Sequence, residues 1–194
     1  ILGAGYSNRG SHPFAKSVSM GLRWLKNVQD AEGCYGPRED SQYLFDHAVS
    51  TFAMVQAYGL TESPIFKGSA QKAVEFCLRT RGSEGGWRYD ATADGDLGLT
   101  GWMLCVLEAA RLVNADAASH GGPPPFEIDA ALLEGTRSWI ESRVREAGEA
   151  SVAATALDLL ARGLLAKDPA DPKTREVTVR LGNMLPLWEA REKS

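Results

Sequence analysis

Between residues 17 and 29, SVSMGLRWLKNVQ, apolar positions Val18, Gly21/Leu22, Leu25 and Val28 recur at steps of three and four, while Lys16, Ser19, Arg23 and Lys26 take the other side. That period predicts a one-sided helix. The same pattern returns at 66–79 (Phe66, Ala70, Ala73/Val74, Cys77/Leu78), at 128–144 (Ile128, Leu132, Trp139/Ile140, Val144) and at 174–185 (Val177, Leu181, Met184/Leu185). Between these lie segments of a second kind, 46–59, 97–113 and 152–166, which are apolar around most of the circumference, as helices surrounded by other helices should be. Joints rich in Gly, Pro, Ser and Asp fall at 30–41, 59–64, 82–95, 115–125 and 167–172, and nothing reads as a strand. The chain is therefore expected to be all-α, with outer and inner helices alternating.

Sliding the chain along itself by 52 positions reveals an internal repeat. Ser17 falls on Ser69, Leu22 on Val74, Trp24 on Phe76, Glu32 on Glu84, Gly33 on Gly85, Tyr35 on Trp87 and Val55 on Leu107. One unit is an outer helix, a turn and an inner helix. A third copy is worn: Trp139 and Gly148 keep the spacing of Phe76 and Gly85, but Ala150 stands where the turn aromatic was. Residues 172–194 would start a fourth unit, and residues 1–10 read as the tail of an earlier inner helix. Such hairpins cannot cover their own apolar faces and must stack side by side.

The first unit reads Trp24-Leu25-x3-Gln29-x3-Gly33-x-Tyr35 and the second Phe76-Cys77-x3-Arg81-x3-Gly85-x-Trp87. This resembles the QW, or prenyltransferase/squalene oxidase, repeat of the terpenoid cyclase and protein prenyltransferase superfamily, and most closely its uncharacterised bacterial members. The resemblance spans nearly the whole chain and implies an α/α toroid. About seven helices in three and a half hairpins are fewer than the family's closed ring of six pairs. The expectation is then a partial toroid, or a ring completed by further chain, in a single domain over 1–194. Ile1 in place of Met fits a piece of a longer protein. An incomplete ring exposes the apolar flanks of its end hairpins, which predicts self-association or a covering N-terminal region.

The enzymes of the family offer three chemistries, and each loses a key residue here. Class II terpene cyclases protonate an isoprenoid with the middle acid of an Asp-x-Asp-Asp-Thr-Ala motif; this chain has Asp94-Gly95-Asp96-Leu97-Gly98. The prenyltransferases hold zinc with Asp-x-Cys and a distant His, and no Asp-x-Cys occurs. The thioester Cys-Gly-Glu-Gln of complement-type toroids is missing too. In the turn itself a Gly permits a sharp reversal, an aromatic two residues on covers the hairpin end, and Gln29 can bond free helix-end groups. Arg81 stands in place of the second Gln.

Candidate chemistry sits at the heads of the inner helices. Asp90, Asp94 and Asp96 crowd one loop, where they can bind a cation, donate a proton or, in the case of Asp94 or Asp96, cap the helix beginning near Leu97. Asp46-His47 pairs a carboxylate with an imidazole, suited to proton transfer or to capping. Through the 52-residue offset they fall on Gly98 and Leu99, so the second unit has no equivalent pair. Tyr43, Phe45, Trp87 and Trp102 are aromatic enough to line an apolar cleft or to stabilise a cation, and equally able to be core. Cys77 and Cys105 lie on packing stripes and read as core thiols; three cysteines make no disulfide framework.

Charge and composition narrow the partners. With 21 basic and 25 acidic residues, a net charge of −4 and no basic stripe, nucleic acid is not an expected partner. No run is long and apolar enough to span a bilayer. No cofactor is implied. The leading expectation is a non-catalytic binding or scaffolding module whose apolar concave face takes an apolar small molecule or a peptide-like partner. The alternative is a cyclase- or prenyltransferase-like enzyme acting on an isoprenoid, with Asp94 or Asp96 as acid, Asp46 and His47 assisting, and Tyr43, Phe45 and Trp102 around the cation. Glycosidase chemistry on two carboxylates is a third, fold-level option.

Overall fold

The computed structural model describes residues 2–89, 95–148, 151–165 and 171–184. Among these the protein is entirely helical: α1 (Ala15–Val28), α2 (Tyr43–Thr61), α3 (Pro64–Arg79), α4 (Leu97–Ser119), α5 (Ala130–Ala147), α6 (Val152–Leu165) and α7 (Pro172–Met184). All seven expected helices form. The chief extension is α4, which continues through the alanines of Asn114–Ser119 before Gly121 turns at φ +75°; alanine is the strongest helix former, so the polar stretch does not break the helix.

The helices pack in two rows. α4 lies against α2 and α6, while α3 packs on α2 and α4, α5 on α4 and α6, α1 on α2, and α7 on α6. The row α2–α4–α6 carries the heart of the core: Ala48, Met54, Val55, Met103, Leu104 and Leu107 are completely buried. A helix with neighbours on both sides needs apolar residues all round, which is why α2 and α4 lack the one-sided pattern of α1.

One expected element is absent. Of the expected helix tail at 1–10, the described residues 2–10 form only a 3-10 turn, Leu2–Ala4, which packs on α2. Gly5 at φ +80° and Gly10 at φ +93° explain the break, since glycine alone adopts that backbone without steric cost.

The turns join neighbouring units by the same device twice. The Gln29 amide donates to its own Gly33 carbonyl (3.0 Å) and, across the unit boundary, to the Ser69 carbonyl (2.9 Å), while Ser69 Oγ donates back to Gln29 Oε1 (2.7 Å). Arg81 does the corresponding work in the second unit, donating through Nε to Gly85 O (3.1 Å) and Thr136 Oγ1 (3.2 Å). A guanidinium thus replaces the amide with the bridge intact, because both present N–H groups of similar reach. Gly33, at φ +96°, lies so close to the Lys72 carbonyl that a Cβ would collide with it, and Gly85, at φ +109°, makes a less severe approach to the next outer helix, where a Cβ would lie 3.1 Å from the Gly135 carbonyl oxygen.

Candidate functional site

The head of α2 holds a sealed polar cluster. His47 is wholly buried, accepts the Tyr35 backbone N–H at Nδ1 (3.0 Å) and faces the Ala73 carbonyl with Nε2 (3.1 Å). A backbone donor on one nitrogen and a backbone acceptor on the other fix the neutral Nε2–H tautomer. Thr51 Oγ1 and Cys77 Sγ each lie 3.3 Å from Nε2. Burial pulls His47 down to about 4 and pushes Cys77 up to about 12. The Cys–His contact is therefore between neutral groups, not a thiolate–imidazolium pair. Burial also raises Cys34 to about 11 and Tyr35 to about 12.

The second unit solves the same problem differently. The Trp87 N–H, equivalent to that of Tyr35, is accepted by Thr100 Oγ1 at 2.9 Å. His47 follows its turn aromatic by twelve residues and Thr100 by thirteen, so the ungapped offset slips by one in the loop before α4. The pairing of His47 with Leu99 is corrected by this geometry: Thr100 does for Trp87 what His47 does for Tyr35, and the second unit, with Leu99-Thr100 at this place, has no Asp-His pair. His47 is a staple between turn, inner helix and next outer helix.

The other sequence candidates differ in their surroundings. Asp46 is exposed while its neighbour His47 is buried. Asp96 is exposed and caps α4, its Oδ1 accepting the Leu99 N–H at 2.7 Å. Asp90 and Asp94 lie outside the described residues. Trp87 is fully buried, its indole donating to the Cys77 carbonyl at 2.8 Å, so it touches no cleft. Tyr43 is half-buried against the core. Burial raises the Tyr89 hydroxyl, with further contributions from the Asp96 and Asp46 carboxylates. Among the described residues no three His, Cys, Asp or Glu side chains converge as metal ligands.

Phe45 and Trp102 do come together. The Trp102 ring stands edge-on to Phe45 (6.0 Å) and to Phe52 (6.2 Å), joining α2 to α4. Beyond Trp102 opens a groove of about 450 Å³ between α4 and α6, lined by Leu97, Trp102, Cys105, Leu157 and Leu160 among others. Its lining carries no charged side chain. Leu160 is 38% exposed although apolar, and Cys105, unlike the other two cysteines, is only partly covered. Sequence reasoning placed α6 among helices enclosed on all sides. The exposed Val152, Ala153, Ala156 and Leu160 show one apolar side of it facing outward. A second groove, about 620 Å³, lies between α1 and α2.

No helix of the described residues is long and apolar enough to cross a membrane. No protein-family model, curated protein or solved structure matches this chain.

Proposed function

We propose that this chain is a non-catalytic binding module of the squalene cyclase/prenyltransferase-like repeat type, whose inner row of helices offers an apolar face to an elongated apolar ligand. The observation that carries the reading is the uncharged groove between α4 and α6, continued by the Trp102–Phe45–Phe52 ring cluster. Apolar surface left uncovered on one continuous face is the usual mark of a binding site. Two of the candidate polar groups are engaged elsewhere: His47 is locked neutral by two backbone groups, and Asp96 is held as a helix cap.

Cys105 supplies the test, because it lines the groove while Cys34 and Cys77 are buried. In the folded protein a thiol reagent should modify Cys105 far faster than the other two. Farnesol, added below its aggregation limit, should slow that modification. Trp102→Glu, which puts an unpaired charge beside the groove, should weaken the protection by about tenfold or more without loss of helical ellipticity. Unchanged Cys105 reactivity with farnesol and with a dodecyl-chain ligand would end the binding proposal. Conversion of farnesyl diphosphate to a new product would make the protein an enzyme.

A further inference from the structure

The unit boundary seen twice inside the chain has an uncovered counterpart at α1. At the first boundary the turn of unit one covers α3: Gly33 presses on the Lys72 carbonyl, Gln29 bonds Ser69, and Phe76 is 3% exposed against the edge of His47 at 4.7 Å. At the second, the turn of unit two covers α5: Gly85 approaches Gly135, Gly86 abuts the Trp139 ring, and Trp139 is 6% exposed. Through the repeat, Ser17 corresponds to Ser69, Gly21 to Ala73 and Trp24 to Phe76. In α1 these positions are all exposed, Trp24 to 63% and its neighbour Met20 to 62%. The groove between α1 and α2 runs along this face and is lined by Trp24 and Leu25, the repeat equivalents of the Phe76 and Cys77 that His47 touches at the first boundary.

We infer that the Ser17–Gly21–Trp24 face of α1 is the receiving side of a third such boundary, and that its occupant is a further repeat unit carrying a Gln/Arg-x3-Gly-x-aromatic turn. The 3-10 turn Leu2–Ala4 agrees with this, because it packs on α2 on behalf of the inner row. A second copy of this chain does not fit the requirement. Its Gly33 and Gly85 turns are already spent on its own α3 and α5. Its Gly148 turn has Val144 in the bridging position and Ala150 in the aromatic one. The occupant must therefore bring a turn that these residues do not hold free.

The test inserts a second copy of residues 11–62 ahead of Ser11, which sets a Gln-Gly-Tyr turn in register before α1 and reproduces the natural junction at Glu62-Ser63. Trp24 is followed by acrylamide quenching, as the difference from a Trp24→Phe chain. Its quenching should fall roughly tenfold, matching a change from 63% exposure to the 6% of Trp139, with a higher melting temperature and helical ellipticity raised in proportion to length. An extended chain that folds but leaves Trp24 fully quenchable overturns the inference. Should the added unit not fold, the original chain still decides: Trp24 should stay quenchable at all concentrations, and Trp24→Lys should leave the melting temperature unchanged. Protection of Trp24 that grows with protein concentration would make a second copy the occupant and overturn the inference.

Discussion

Lowering the pH should destabilise this protein through His47. Burial pulls the pKa of the ring down to about 4, against 6.5 for a free imidazole, so between those values the unfolded chain binds a proton that the native state refuses. Stability is full above pH 6.5, declines as the pH falls through the window, and loses nothing more from this group below about 4. At 1.36 kcal/mol per unit the whole effect is about 3 kcal/mol, of which about 2 kcal/mol is lost between pH 7 and pH 5. Against the 5–15 kcal/mol typical of a domain, roughly, that is a large fraction. The assay is urea unfolding followed by far-UV ellipticity at both pH values, on the native chain and on His47→Thr, which installs the solution used by Thr100. The variant is less stable at pH 7, having lost the bond to Ala73 and ring packing on Phe76, but its loss between pH 7 and 5 should be smaller by about 2 kcal/mol. Carboxylates contribute equally to both proteins and cancel in the difference. Parallel declines would show that His47 is not held neutral, and the account of the staple would fail.

Trp139→Ala removes a ring clamped under Gly86 and should cost about 3–5 kcal/mol in chemical unfolding, in contrast to exposed Trp24. Gly33→Ala combines a positive φ with a Cβ driven into the Lys72 carbonyl; a loss of about 2–4 kcal/mol is expected, and a melting temperature within a degree of the parent would refute the close approach. Asp96→Asn keeps a side-chain acceptor for the Leu99 N–H and should leave stability nearly unchanged, whereas Asp96→Ala should cost about 1 kcal/mol. If the Asn variant instead destabilised as much as Ala, the cap would depend on charge and not on the hydrogen bond.

The helices were legible because each has a simple physical cause. Val18, Leu22 and Leu25 recur with the helical period, and α2 and α4 are apolar all round because each is wedged between neighbours. Other features were hidden by chemistry that reads two ways. An Asp-His pair at a helix head has the same sequence whether it catalyses or staples; only the Tyr35 N–H and Ala73 carbonyl around the ring decide between them. Arg81 was hard to interpret as a replacement for glutamine, because a repeat pattern records residue type and not the shared ability to donate N–H groups across a gap. The break after Ala4 could have been anticipated from three glycines in ten residues. The one-residue slip before α4 could not, since loop length does not alter the helical period on either side.

The two-row packing also dictates how the molecule comes apart. Because each helix touches only its near neighbours, opening can proceed by peeling from either end without breaching the middle. α1 and α7 each bury a single residue, Leu22 and Val177, whereas α2 and α4 bury nine each. Amide exchange should therefore be fastest in α1 and α7 and slowest in α2 and α4, the last pieces to surrender their hydrogens.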